Sequence, residues 1–167
     1  MNSRNLIIND ILQFSIALQA RKPILGLDLG EKTIGIAISD ITRSIATGLT
    51  TLRRQKFLSD AQKLKTLALE RQVVGIILGL PINMNGSEGP RAQSTRSFAK
   101  NLSKIIELPI SFWDERLSSS AAEQVLLQAD SSRKTRSKVI DYVAATYILQ
   151  GALDRMQNQR RENYNDR

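Results

Sequence analysis

The chain has 167 residues, a formal net charge of +8, no cysteine and no histidine. Its length is typical of a single domain, and 41% hydrophobic residues argue against global disorder. The missing cysteines exclude disulfides, thiolate metal sites and cysteine nucleophiles, and they fit a reducing cytoplasm. Without histidine, a bound metal needs oxygen ligands, which favours Mg²⁺ or Mn²⁺. The basic excess indicates a polyanionic partner such as nucleic acid, with a merely soluble basic protein as the alternative.

Hydrophobic periodicity in the first third of the chain changes from helical to strand-like. Residues 5–19 have the apolar spacing of an amphipathic helix. Strands are predicted over 24–28, 33–39 and 45–52. The short turn at 30–32 predicts that the first two strands form an antiparallel hairpin.

The remainder alternates strand and helix patterns. Strands are predicted at Val73–Leu80 and Ile110–Trp113, and residues 81–90 read as a loop. Helices are predicted over 56–71, from the end of that loop to about 106, and over 119–129 and 135–154. This order predicts an α/β fold with a mixed five-stranded sheet: an antiparallel three-strand meander, then parallel strands, flanked by helices.

The domain organisation predicted from these patterns is simple. Residues 1–22 are predicted to form an N-terminal helical extension, residues 23–154 the domain, and residues 155–167 a polar, basic, frayed tail. No segment has the ~20 apolar residues that cross a bilayer, so no membrane partner is expected.

Acidic residues occur where carboxylates are costly. Asp28 ends an apolar strand, Asp114 and Glu115 follow another, and Asp141 shares a helix face with Ala144 and Ala145. Divalent cations bound by these acids would offset the free-energy cost of burying the carboxylates. Alternatively, Asp28 is an ordinary turn acid, Asp114 and Glu115 are solvated or cap a helix, and Asp141 pairs with a neighbouring base. Spacing alone leaves both interpretations open.

Several motifs in unbroken order from about residue 23 to 154 resemble the YqgF (also called RuvX) family. They are Gly26-Leu27-Asp28-Leu29-Gly30 with Lys32–Ala37, Gly79-Leu80-Pro81 with Gly86–Gly89, Phe98 with Leu102, Asp114-Glu115-Arg116-Leu117-Ser118-Ser119, and Lys138–Asp141 with Ala144, Ala145 and Ile148–Gln150. Two features depart from the family pattern. Thr33 stands where many members have arginine, which removes one phosphate contact, and residues 1–22 precede the usual start.

The resemblance implies a ribonuclease H-like fold related to the RuvC junction resolvase. It implies that Asp28, Glu115 and Asp141 are catalytic acids that bind Mg²⁺ or Mn²⁺, two ions of which would flank the scissile phosphate. The family was first described as Holliday-junction resolvases and is now associated with maturation of the 5′ end of pre-16S ribosomal RNA in the bacterial cytoplasm. A metal-dependent nuclease acting on precursor ribosomal RNA, as a monomer or homodimer, is therefore expected.

Basic side chains are candidates for gripping the nucleic-acid backbone. One group contains Arg53, Arg54, Lys56, Lys63 and Lys65; a second, favoured because it precedes Asp141, contains Arg133, Lys134, Arg136 and Lys138. Lys32 and Arg116 are further candidates, although Arg116 has the alternative of pairing with Asp114. Aromatic content of only 5% favours recognition of shape and backbone over base stacking.

Other functions compete with RNA cleavage. Cleavage of branched DNA at a Holliday junction uses the same phosphate chemistry. A non-catalytic RNA-binding module is less compatible with the three retained acids. An actin-like or sugar-kinase-like ATPase shares the Asp-x-Gly hairpin, but it normally has two such domains, and this chain has one such hairpin.

Overall fold

The computed structural model describes residues 5–117 and 133–166, and for residues 133–141 it describes the backbone alone. The helices are α1 (Ile11–Ala17), α2 (Phe57–Glu70), α3 (Pro90–Ser103) and α4 (Arg133–Asn165). The strands are β1 (Leu25–Leu29), β2 (Thr33–Ser39), β3 (Ala46–Arg53), β4 (Ile76–Leu80) and β5 (Ile110–Asp114), followed by a 3₁₀ turn at Glu115–Leu117. The helix predicted over 119–129 lies outside the described residues.

The five strands form one mixed sheet in the order β3-β2-β1-β4-β5. β1 pairs with β2, and β2 with β3, in antiparallel register, whereas β1–β4 and β4–β5 are parallel. A tight turn joins β1 to β2, closed by the Gly30 N–H donating to the Thr33 carbonyl at 2.8 Å. The predicted fold class, with its meander followed by parallel strands, is confirmed.

Helices cover both faces of the sheet because strand residues alternate between them. Leu25 and Leu27 face a core shared with α2 and α3. Ile24 and Ile77 face a second core shared with α1 and α4. The result is a three-layer α/β/α arrangement. No helix in the described ranges is long and apolar enough to cross a membrane.

The N-terminal segment is less helical than predicted. The predicted helix over 5–19 is only seven residues long, beginning after Asp10, whose carboxylate accepts a hydrogen bond from the Leu12 N–H at 2.8 Å. Before it, Ile7 makes a parallel bridge with Ile110, and the Ile8 N–H donates to the Ile110 carbonyl at 2.8 Å. Residues 6–8 therefore run along β5, because its outer backbone groups offer hydrogen bonds that outweigh local helix propensity.

The prediction of a frayed tail from residue 155 is wrong, because α4 continues to Asn165. Met156 is buried against the core beneath α1, and the Gln157 amide donates to the Ser44 hydroxyl at 2.7 Å. These tertiary contacts hold a segment whose polar sequence suggested fraying.

Candidate carboxylate site

The parallel register brings two of the predicted acids to one edge of the sheet. Leu27 pairs with Leu78 in β4, and Leu80 pairs with Asp114 at the end of β5. The carboxyl ends of β1, β4 and β5 therefore meet, as ligand-binding edges of α/β sheets do. Asp28 lies at that end of β1, and Glu115 begins the turn after β5. A hydrogen bond between their carboxyl groups acts on the pKa of Glu115.

A glycine makes room for Glu115. A Cβ atom added at Gly79 in β4 would lie 2.6 Å from Glu115 Oε1, 3.1 Å from Glu115 Cγ and 2.5 Å from Ile148 Cδ1. Real Cβ contacts essentially never fall below 3.0 Å. The Glu115 side chain thus lies against the β4 backbone, in a space that only glycine leaves open.

The electrostatic environment of Glu115 is unfavourable for an isolated carboxylate. Burial raises the pKa of the Glu115 carboxyl above its usual value, and the negative charge of Asp114 adds to this rise. The positive charge of Arg91 and the hydrogen bond with Asp28 oppose it. Two carboxyl groups so close repel when both are ionised, unless a proton or a cation lies between them. The oxygen-only donors and the crowded charges both fit a hard divalent cation.

Asp114 is engaged by its own neighbour. The Arg116 guanidinium donates to both Asp114 oxygens, with an Nη2–Oδ2 distance of 2.7 Å, and the Arg116 N–H donates to Oδ1 at 2.9 Å. The hydrogen bonds from Arg116 lower the pKa of Asp114. Of the two alternatives for Arg116, the structure shows the pairing with Asp114. The Arg116–Asp114 ion pair therefore stabilises the turn in which Glu115 lies.

Asp141 lies on α4, and its side chain is outside the described residues. The helix position is nevertheless informative. A Cβ atom at Gly26 would lie 3.1 Å from the Ala145 carbonyl oxygen and 2.6 Å from Leu149 Cβ, so α4 crosses β1 in close contact. Asp141 precedes Ala145 by four residues, about one helical turn. Among residues with described side chains, no group of three acids could hold a metal ion, and the predicted trio depends on Asp141.

The predicted basic residues are distributed unevenly about this site. Lys32 is exposed in the β1–β2 turn, beside Gly30 and Glu31. The structure places the favoured second group in the first turns of α4, with the side chains outside the described residues. That group consists of Arg133, Lys134, Arg136 and Lys138.

Two arginines near the carboxylates were not emphasised by the sequence. Arg54 was one of five bases in the less favoured group, and Arg91 was not singled out. Arg91 follows Pro90 at the start of α3 and lines two cavities of about 530 and 490 Å³. The larger is also lined by Arg54, and the smaller by Glu115 and Arg116. Only the Pro-Arg pair after a glycine-rich loop hinted at a helix start here.

The loop between β4 and α3 forms one wall of the smaller cavity. The Asn83 N–H donates to the Ser87 carbonyl at 2.9 Å, and Gly86 adopts a φ of +86°, which favours glycine. Glu88 and Arg96 form an ion pair at 2.6 Å that ties the loop to α3. The loop is therefore held in a defined shape next to Glu115.

Comparison of the structure with solved proteins supports the fold. Thermus thermophilus RuvC, solved with a Holliday junction substrate, matches with a TM-score of 0.53 at 10% identity, covering 81% of this chain and 96% of RuvC. The yeast mitochondrial Holliday junction resolvase matches with a TM-score of 0.52 at 14% identity, covering 93% of this chain and 87% of that protein. At these identities the similarity establishes a RuvC-like ribonuclease H fold and nothing about substrate.

Sequence relatives are much closer. A Cereibacter sphaeroides protein named "Putative pre-16S rRNA nuclease" is 60% identical over 151 residues, covering 90% of this chain and 94% of its own length. A Ruegeria pomeroyi protein of the same name is 58% identical over 153 residues, covering 92% of this chain and 99% of its own length. The family model described as RuvX, Holliday junction resolvase, matches residues 22–155. With its close relatives and this match over most of its length, the chain belongs to the RuvX family.

Proposed function

We propose that this protein is a metal-dependent nuclease that hydrolyses phosphodiester bonds in precursor 16S ribosomal RNA. The observation that carries the proposal is the contact between the Asp28 and Glu115 carboxyl groups at the carboxyl edge of three parallel strands. Family membership and the names of the relatives support a nuclease and this substrate. We place the reaction in the bacterial cytoplasm, carried out by a monomer or a homodimer.

In this proposal Asp28, Glu115 and Asp141 hold Mg²⁺ or Mn²⁺. When bound, the ion supplies positive charge that polarises the phosphoryl group and makes water a better nucleophile. Gly79 leaves space for the Glu115 side chain, and the Arg116–Asp114 pair fixes the turn from which Glu115 projects. The protein thus contributes a rigid, oxygen-lined position for the ion and the scissile phosphate.

The backbone of the substrate would be gripped by basic residues around this position. Exposed Lys32 lies in the turn after β1, close in the chain to Asp28. The helix bearing Asp141 begins with four bases in six residues, so its first turns add positive charge on the approach to that acid. The residues proposed for this role are Lys32, Arg133, Lys134, Arg136 and Lys138, whereas Arg116, which pairs with Asp114, is assigned to holding the turn.

The decisive experiment compares three substrates: precursor ribosomal RNA, unrelated single-stranded RNA and a four-way DNA junction. Each is incubated with Mg²⁺ or with chelator, using wild type, Asp28→Asn, Glu115→Gln and Asp141→Asn. We expect Mg²⁺-dependent cleavage of the precursor by wild type alone. If one of these variants keeps most of the wild-type cleavage rate, the substituted residue is not one of the proposed metal ligands. Full activity in the presence of chelator would refute metal dependence.

Cleavage of branched DNA is the second candidate, favoured by the family description and by the RuvC-like fold. The same three-substrate comparison separates the candidates. Preferential cutting of the four-way junction would replace the RNA substrate while leaving the carboxylate chemistry in place.

A further inference from the structure

The larger of the two cavities is lined by neither Asp28 nor Glu115, the two proposed metal-binding acids whose side chains the structure describes. It measures about 530 Å³ and lies between the β1–β2 turn and the first half of α3. That volume is in the range of pockets that enclose small ligands. The cavity adjoins the carboxylate site because Arg91 lines both this cavity and the one that contains Glu115.

Arg54 is held in a fixed orientation at one side of the cavity. Its Nη1 donates to the Gly30 carbonyl at 2.7 Å, and its backbone N–H donates to the Lys32 carbonyl at 2.8 Å. The guanidinium carbon lies 5.8 Å from the centroid of the Phe98 ring. A guanidinium fixed at one nitrogen and against a ring loses little entropy when its remaining N–H groups bind an anion.

Arg91 adds a second positive charge to the cavity lining. It is exposed at the second position of α3, a helix of 14 residues. Its charge acts on the Glu115 carboxyl, where it lowers the pKa against the effect of burial. The free N–H groups of the helix start add partial positive charge in the same place. Arg91 therefore lies between the carboxylates and the cavity that contains Arg54.

The other lining residues suit a sugar-phosphate backbone better than a free inorganic anion. Leu29 and Phe98 provide apolar surface, and Ser94 provides a hydroxyl group. Glu31 also lines the cavity and opposes an anion. Two guanidinium groups against one carboxylate leave a modest positive excess, which matches the single charge of a phosphodiester.

We propose that this cavity binds a backbone phosphate of the RNA adjacent to the bond that is cleaved, with Arg54 and Arg91 contacting its non-bridging oxygens. The inference rests on the proposed function, since it assigns a neighbouring part of the same substrate. It adds a subsite that orients the chain across the carboxylates and that the three acids do not provide.

Binding measured in chelator tests the subsite without cleavage. Fluorescence anisotropy of a labelled single-stranded RNA is recorded against salt for wild type, Arg54→Gln, Arg91→Gln and the matched control Arg71→Gln. Arg71 is exposed at the end of α2, before β4 begins, and does not line the cavity. Loss of one phosphate contact should reduce the slope of log affinity against log salt by about 0.7 for single-stranded nucleic acid. We expect this reduction in the two cavity variants and an unchanged slope in the control.

A second arm tests the sign of the charge effect. Glu31→Gln removes the one carboxylate among the described residues that line the cavity, so it should strengthen RNA binding. Arg91 is exposed, so Arg91→Gln should fold normally, and its result stands even if Arg54→Gln is unstable. Equal binding by wild type and Arg91→Gln, or weaker binding by Glu31→Gln, would overturn the proposal.

A third arm locates the phosphate. A series of RNAs is prepared, each with one neutral methylphosphonate linkage. At one position the neutral linkage should weaken binding by wild type but cause no further loss of affinity in Arg91→Gln. Additive losses at every position would overturn the subsite. The same variants are also tested on a four-way DNA junction, so that failure of the subsite can be told from failure of the proposed RNA substrate. If the variants bind the junction more weakly but bind RNA as well as wild type does, the cavity is a phosphate subsite and the proposal that the substrate is RNA is refuted.

Discussion

Gly79→Ala should damage catalysis far more than stability, because the added methyl group enters the space of the Glu115 side chain. The new Cβ would lie 2.6 Å from Glu115 Oε1 and 2.5 Å from Ile148 Cδ1. Both atoms are at the ends of flexible side chains, so the backbone need not move. Overpacking typically costs about 1–3 kcal/mol, and we expect the lower end, a decrease of roughly 2–4 °C in Tm for a chain of this size.

The catalytic cost has a different origin. Relief of the contact moves the Glu115 carboxylate by several tenths of an ångström or more, away from its position beside Asp28. A misplacement of about 1 Å can cost on the order of 100-fold in rate. We therefore expect kcat/KM to fall by about 100-fold while the protein remains folded.

Two further variants separate geometry from stability. Gly75→Ala is the matched control, since its Cβ would lie 2.5 Å from Leu18 Cδ2 and 2.9 Å from Phe14 Cζ, just before the opposite end of β4. It should lower Tm similarly and leave cleavage unchanged. Adding Ile148→Val to Gly79→Ala removes Cδ1 and should restore Tm but not activity. If Gly79→Ala cleaves like Gly75→Ala, the proposed role of Glu115 position is incorrect.

Three other predictions address charge and metal. Asp28→Asn should reduce the cleavage rate by more than about 100-fold, because mutation of residues that only support a metal ligand already lowers metal affinity or activity roughly 10–100-fold. Without metal, the Tm of this variant should rise, since a negative charge beside Glu115 is removed. Asp40 has its pKa lowered to about 2, because hydrogen bonds from Ile45, Thr42 and Ser44 outweigh the larger single effect of desolvation. The ionised Asp40 carboxylate therefore stabilises the fold at pH values above its usual pKa of 3.8, and this stabilisation is lost as the pH falls through about 2. Because this turn is exposed, solvent screening limits the stabilisation by Asp40 to about 1 kcal/mol or less. The free energies of unfolding of Asp40→Ala and wild type, measured by urea melts, should therefore differ at pH 6 and converge near pH 2. A difference that stays constant with pH would contradict the lowered pKa of Asp40. Mg²⁺ and Mn²⁺ should support cleavage, whereas Ca²⁺ should bind, by calorimetry, and support it poorly, because its longer and looser bonds misplace the nucleophile; a requirement for zinc alone would refute the oxygen-ligand site.

Local patterns in the sequence predict most of the secondary structure. The alternation of apolar residues from β1 to β3 and the buried run before Leu80 depend on neighbours in the chain, and the strands were placed within a few residues. Residues 6–8 were assigned to a helix because their partner, Ile110, lies about a hundred residues away. Local periodicity contains no information on such pairing.

The site was predictable to a different degree. Asp28 and Glu115 were identified from motifs and from acids at strand ends, and the structure brings them together. The roles of Gly79 and Arg91 could not be read from the sequence, because they depend on how the β5 turn lies over β4 and where α3 begins relative to β1. These relations arise from tertiary packing. The predicted participation of Asp141 remains a prediction.

The position of α4 has a consequence for the order in which the molecule can fold. All five strands precede α4 in the chain, yet α4 covers the face formed by Ile24, Ala37 and Ile77. During synthesis the first strands can pair while this apolar face is still open to water, and it closes only when residues as late as Leu153 and Met156 arrive. The backbone that carries Asp141 arrives with the same helix. A nascent chain that lacks α4 would therefore expose this apolar face to aggregation, and it would also lack Asp141, the third of the proposed metal-binding acids.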